Sequence, residues 1–198
     1  MLRIGLTGGI GSGKSTVSEK FNSLYNIPII DADEINHALL LPDSPAYQEI
    51  IDTFGNNVIL ESGEINRNYL RENIFSDSKA KNKLENILHP KIRKEISRRL
   101  SNLECDYCLI VIPLLIESRL QSLVDRILVI DASNENQIQR ASKRDQYDQS
   151  HVKQIIQAQA NPEERLKHAD DILSNNGDII ELDKQIEALH KKYLSLSQ

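Results

Sequence analysis

Short hydrophobic runs bounded by turn residues recur at Leu2–Thr7 (LRIGLT), Ile27–Asp31 (IPIID), Tyr107–Ile112 (YCLIVI), Arg126–Asp131 (RILVID) and Asp171–Ser174 (DILS). Their mostly continuous apolar character, in place of a two-residue alternation, is that of strands covered on both faces. Between them the apolar positions fall at helical spacing over Lys14–Leu24, Asp77–Leu88, Pro90–Leu100, Glu135–Arg144, His151–Gln159 and Asp178–Leu194, with Ser76, Ser133 and Ser150 as expected N-caps. Strand alternating with helix predicts an α/β fold in three layers, with about five parallel strands at its centre. Residues 34–102 carry almost no strand signal beyond a turn around Gly55 and Gly63, so they read as a helical insertion between the second and third strands. A smaller helical insertion, residues 133–160, follows the fourth strand, which leaves 1–33 and 103–198 as the core. No internal repeat or Pro/Gly/Ser linker interrupts the chain, so these are subdomains on one core.

A chain of 198 residues is long enough for one such core with an appended subdomain. With 39% hydrophobic and 27% charged residues it has the composition of an ordinary globular protein, not of a disordered or fibrous one. Lys and Arg number 24 against 29 Asp and Glu, a net charge of −5, and no run of basic residues marks a nucleic-acid surface. The longest apolar stretch, Leu109–Ile116, is too short for a bilayer, and the opening Met1–Thr7 lacks the length of a signal peptide, so a cytoplasmic protein is expected. Cys105 and Cys108 lack a second ligand pair at zinc spacing, and they lead into a strand where a redox dithiol usually opens a helix. Two reduced structural thiols are the better reading.

The first strand runs into Gly8-Gly9-Ile10-Gly11-Ser12-Gly13-Lys14-Ser15-Thr16, which satisfies G-x-x-x-x-G-K-[ST] and then turns helical. Glycines let successive backbone N–H groups point inward at a helix N-terminus, where the dipole adds positive potential for a phosphate. Lys14 then reaches the β- and γ-phosphates, the Ser15 hydroxyl coordinates Mg²⁺, and Thr16 donates to the α-phosphate. Gly11, Ser12 and Gly13 complete the cradle. At average glycine usage the bare pattern arises by chance in under about one chain in a hundred of this length, which favours a nucleotide loop over a ligand-free turn. A guanine-reading Asn-Lys-x-Asp segment is absent, and the chain is short for a motor or transporter ATPase, so a small-molecule kinase fits best.

Such a kinase needs an acceptor carboxylate and mobile cations. Asp31 and Asp33 end the second strand, at the edge where open α/β sheets bind ligands, and spacing alone leaves either as the group facing the acceptor hydroxyl. Arg140 and Arg144 share one helical face after the fourth strand, where a lid can carry guanidinium groups over a transferring phosphate. In the larger insertion Arg67 and Arg71 repeat that spacing, and His89 precedes Pro90 at an expected helix start, so these three are candidates for acceptor phosphates. Pro113 and Glu117 follow the third strand as a candidate acceptor wall. Asn175, in Asn175-Asn176-Gly177, is either a plain turn or the loop against which an adenine packs.

These segments resemble the bacterial dephospho-coenzyme A kinases. The matching stretches are LTGGIGSGKSTV, IIDAD, FGNNVILESGEINRNYLRENIF, LENILHPKIR, VIPLLIE, RILVIDAS with RASKRD, and QAQANPEERLKHADDILSNNG, in order and across nearly the whole chain. The resemblance implies ATP-dependent phosphorylation of the ribose 3′-hydroxyl of dephospho-CoA, the last step of CoA biosynthesis, by a nucleotide-binding core with a helical CoA domain and a lid. It matches Asp33 to the family's acceptor-activating carboxylate and Arg140 to its lid arginine, and it implies ATP, Mg²⁺ and dephospho-CoA as ligands, with no nucleic acid or membrane partner. The oligomeric state stays open between a monomer and a weak homo-oligomer. Asn26 departs from the glycine common in relatives, and Gln146-Tyr147-Asp148 follows no family pattern. The alternatives are another P-loop kinase with a nucleoside or nucleotide acceptor and a nucleotide-dependent switch ATPase.

Overall fold

A computed structural model describes residues 1–146 and 148–198, with the side chains of Phe75 and Ser76 outside the described set. The irregular Gln146-Tyr147-Asp148 segment therefore falls at its centre, Tyr147, outside the described residues, as does the side chain of the expected cap Ser76. The chain forms two compact units, one of Met1–Asp31 with Leu103–Gln198 and the other of Ala32–Asn102.

In the first unit, strands β1 (Leu2–Gly8), β2 (Ile29–Asp31), β3 (Tyr107–Val111), β4 (Arg126–Asp131) and β5 (Asp171–Ser174) make one sheet in the order β2-β3-β1-β4-β5. All four pairings are parallel. Every residue of β3 is buried, as a continuous apolar run requires, whereas the edge strand β5 buries only Asp171 and Leu173. Helix α1 (Lys14–Tyr25) brings Val17 and Phe21 onto one face, and α9 (Ile179–Leu196) brings Leu182, Ile186 and Tyr193 into the same core with Ile4, Leu6, Leu109 and Leu128. Strand β2 starts at Ile29 and not at Ile27 because Pro28 has no N–H to give the ladder, although its carbonyl accepts from Leu109 N at 3.0 Å. Asn26 explains its own departure from glycine: it ends α1 in the left-handed region at φ 53°, which asparagine tolerates better than most residues.

Helices α6 (Asn134–Asp145), α7 (Gln149–Ala158) and the short α8 (Pro162–Lys167) follow β4. Ser133 caps α6 as expected, accepting from Asn136 N at 3.3 Å. Ser150 does not cap α7, since Asp148 stands at the N-cap and takes a hydrogen bond from the Ser150 hydroxyl. Helix α8 shows no helical spacing in the sequence, though Asn161 as N-cap and Pro162 at the first helical position are a start signal.

The second unit holds α2 (Ala32–Leu39), α3 (Tyr47–Phe54), α4 (Arg67–Ser76) and α5 (Ser78–Leu100), with the turns at Gly55 and Gly63 flanking an isolated antiparallel bridge, Ile59 to Ile65. The two helices expected over Asp77–Leu88 and Pro90–Leu100 are one, capped by Asp77 through Lys79 N at 2.8 Å, so His89 lies mid-helix and not at a helix start. Pro90 is exposed, and the buried face of Leu84, Ile87, Leu88, Ile92 and Ile96 runs past it on both sides. Tertiary packing of that face outweighs the single lost backbone hydrogen bond. Cys108 is buried in β3, where burial first and Cys105 next push its thiol up to about 12.

The edge strand is fastened to α9 by Asp171, which is 7% exposed and bonded by Arg126 Nε at 3.1 Å, by Lys192 and by the Tyr193 hydroxyl at 3.3 Å. Burial pushes this carboxyl up, but the Lys192 and Arg126 hydrogen bonds outweigh it and leave it below its ordinary value. The stability it supplies is thus present above about pH 4 and is lost as pH falls below that. Asp171→Asn should cost about 2 kcal/mol at neutral pH, less than a fully buried pair because both cations are part-exposed, and flatten the acid limb of an unfolding curve below about pH 4. Urea unfolding at pH 7 and pH 3 checks both.

Candidate functional site

The register aligns the strand ends: Gly8 pairs with Ile130, Asp31 with Val111, and Asp131 with Ser174. The segments leaving β1, β3, β4 and β5 therefore start from one carboxyl edge, with β1 in the middle and its neighbours β3 and β4 on either side. From that centre Gly9–Gly13 turns back into α1, with Gly11 at φ 69° and Gly13 at φ 98°, conformations that side chains resist. Space is as restrictive as angle. A Cβ on Gly11 would stand 2.3 Å from the Gln137 carbonyl, and one on Gly13 2.2 Å from Asn175 Nδ2.

Lys14 Nζ folds back over the loop and donates to the carbonyls of Gly8 at 2.8 Å and Gly9 at 3.0 Å. Ser15 and Thr16 are exposed in the first turn of α1, where N–H groups lack intrahelical partners. The back of the loop is fixed by Asn175, whose buried side-chain amide donates to Ser12 O at 2.7 Å while its own N–H donates to Asp131 O at 2.8 Å. Asn175 thus holds the loop, a more specific task than a plain turn.

Several buried polar atoms around this loop have no hydrogen-bond partner: Ser12 Oγ, Gln137 Oε1, Arg140 Nη1 and Arg165 Nη1. Four such atoms near one loop is far from the usual satisfaction of buried polar groups, and the two guanidinium donors and the Ser12 hydroxyl among them fit a site built to receive an anionic guest. Among the described residues no three His, Cys, Asp or Glu gather as a metal cage.

Arg140 lines a cavity of about 230 Å³ with Gly13, Thr16, Asn175, Gly177 and Ile179, beside the loop. Arg144 instead forms a two-point ion pair with Asp145 at 2.7 Å, with its side chain 62% exposed. The Pro113 carbonyl accepts from Thr7 Oγ1 at 3.1 Å, and Glu117 Oε1 accepts from Ala160 N at 2.9 Å. Glu117 therefore faces the segment behind α7. Sequence reasoning missed Arg165 and Gln159: the first is 4% exposed, and the second accepts through Oε1 from Ile10 N at 3.0 Å.

In the second unit, Asp33 stands exposed in the first turn of α2, two residues past the end of β2. Arg67 opens α4, whose N-cap Asn66 accepts from Tyr69 N at 3.1 Å, and lines a cavity of about 430 Å³ with Leu40, Leu41, Leu60, Ile65 and Asn68. Arg71 lies one turn further along α4, exposed, and His89 is half-buried on α5; neither lines that cavity.

Asn175→Ala removes a buried donor from Ser12 O and should cost about 1–3 kcal/mol in stability with a several-fold loss of nucleotide affinity. Gly13→Ala is harsher, since angle and space both forbid it, and calorimetric titration with ATP should then register no binding.

The dephospho-CoA kinase family matches residues 2–181 of this chain. A dephospho-CoA kinase of Coxiella burnetii is 46% identical over 199 residues, covering 100% of each chain. Among solved structures, that of a Thermus thermophilus protein superposes with a TM-score of 0.86 at 28% identity, covering 96% of this chain and 97% of that one. Dephospho-CoA kinase from Campylobacter jejuni superposes with a TM-score of 0.70 at 29% identity, covering 99% and 98%. With its phosphate loop at the centre of the sheet edge and a match running nearly end to end, the chain belongs to the dephospho-CoA kinase family.

Proposed function

We propose that this protein transfers the γ-phosphoryl group of ATP to the ribose 3′-hydroxyl of dephospho-CoA, giving CoA and ADP in the cytoplasm. The observation that carries the reading is the glycine-constrained loop Gly8–Thr16 in a chain that matches this family along nearly its whole length.

In this reading the N–H groups of Gly11, Ser12 and Gly13 and the first turn of α1 surround the phosphates, Lys14 leaves its two carbonyl partners for the β- and γ-phosphates, and Thr16 donates to the α-phosphate. Bound Mg²⁺ would neutralise charge on the phosphate oxygens, with Ser15 as its protein ligand. Asp33 accepts the proton of the 3′-hydroxyl as that oxygen bonds to the γ-phosphorus and the bond to the ADP oxygen breaks. Residues 133–160 act as the lid, with Arg140 bringing planar donors to the nucleotide and Arg144 a secondary cation. Arg67, Arg71 and His89 take the acceptor's 5′-diphosphate, with Pro113 and Glu117 as an acceptor wall.

ADP release with ATP and Mg²⁺ should require dephospho-CoA, with AMP and adenosine poor acceptors. Equal rates with AMP would point to a nucleotide kinase, and slow hydrolysis stimulated only by a macromolecule to a switch ATPase. Lys14→Ala should lower kcat by at least about 100-fold. Asp33→Asn should lower kcat by a similar factor while ATP affinity, read by titration, stays within about twofold. Full activity in Asp33→Asn alongside a dead Asp31→Asn would transfer the role to Asp31. Arg67→Ala and Arg71→Ala should raise KM for dephospho-CoA about tenfold and leave KM for ATP unchanged, as steady-state kinetics with each substrate varied will show.

A further inference from the structure

We propose that Arg165 is a second fixed cation of the phosphate loop, contacting the β- or γ-phosphate of the bound nucleotide. This rests on the reading that the loop binds ATP.

Arginine is rarely buried without a partner, because a guanidinium carries five N–H donors and loses hydration for each. Arg165 is 4% exposed, yet its buried Nη1 has no hydrogen-bond partner. Its nearest acidic neighbours do not account for that. Glu117 and Asp131 attract it across space, but neither bonds to it, and the second oxygen of Glu117 is itself buried and unbonded. A structural counter-ion would have closed that gap. What Nη1 does approach is the phosphate loop: a Cβ on Gly9 would stand 3.3 Å from it. The Gly9 carbonyl is one of the two that hold Lys14 Nζ, so the two cations meet the same short stretch of backbone.

The position is built. Gln159 accepts from Ile10 N at 3.0 Å, Ala160 donates to Glu117 at 2.9 Å, and Asn161 caps α8 by accepting from Glu163 N at 3.0 Å. Within seven residues the chain is thus tied to the loop, to the segment after β3, and to its own helix start, and α8 then delivers Arg165. Arg140 and Arg144 sit on α6, within the segment assigned to the lid, whereas Arg165 lies beyond it. Its charge is in place before the nucleotide arrives. An anionic oxygen reaching Nη1 would supply the missing acceptor in a nearly dry setting, where a charged hydrogen bond is strong.

The test is the intact protein with Arg165→Met, which keeps a long apolar stem and removes the charge. Calorimetric titration should show Mg-ATP and ADP each bound at least tenfold more weakly than by the parent. KM for dephospho-CoA should stay within about twofold, and the melting temperature without nucleotide should not fall, because no hydrogen bond is lost. Unchanged ATP affinity overturns the proposal. So does a lowered melting temperature with ATP and dephospho-CoA weakened alike, the mark of a structural arginine. Should Arg165→Met not fold, Arg165→Lys decides: the shorter, single-headed cation should weaken ATP at least threefold at an unchanged melting temperature, and parental affinity overturns the assignment. If the parent itself fails to bind ATP, the kinase reading fails and not the placement of Arg165.

Discussion

Parallel pairing imposes one constraint from which the core follows: every strand must end on the same side. With β1 in the middle, the residues released by its neighbours start from a common edge, and the register makes Gly8, Asp31, Val111, Asp131 and Ser174 strand-end residues together. A loop that leaves the centre of such an edge is walled by segments from other strands. Gln137 from α6, Arg165 from α8 and Asn175 from beyond β5 all meet it, although none is near it in sequence. Gly11 and Gly13 are then required twice over, once by backbone angle and once because those walls leave no room for a Cβ.

Crowding and polarity together define the site better than either alone. The walls are close enough to bury side-chain atoms and yet leave four of them unbonded. In a core such atoms cost stability; around a phosphate loop they are donors and acceptors held ready, so that less reorganisation is needed when charge arrives. Lys14 shows the same economy, since its ammonium already rests on the carbonyls of Gly8 and Gly9.

What the sequence disclosed and what it hid divide along the range of the interactions involved. The phosphate loop is legible because its geometry is set by residues adjacent in the chain, and all five strands end within a residue of where their apolar runs end. Pro90 misled because its local preference is to stop a helix, while the buried face from Leu84 to Ile96 that carries the helix through it is a tertiary fact. Helix α8 is too short to show a period, and only its Asn-Pro start betrays it. Arg165 sits in a segment, Glu163-Glu164-Arg165, that reads as ordinary surface charge; its burial comes from where Gln159 and Ala160 pin the chain. Asn175 was singled out with its task undecided, because the carbonyl that it serves lies 163 residues away.

That last separation bears on the order in which the protein is made. The loop is synthesised well before the amide that holds its back side, which belongs to Asn175 and is framed by β5 and α9. Throughout most of synthesis the nascent chain carries an unfinished nucleotide loop. Long-range closures of this kind are slow and come late in folding. The back of the loop is therefore closed only when the last strand of the sheet and the residues after it have joined the core.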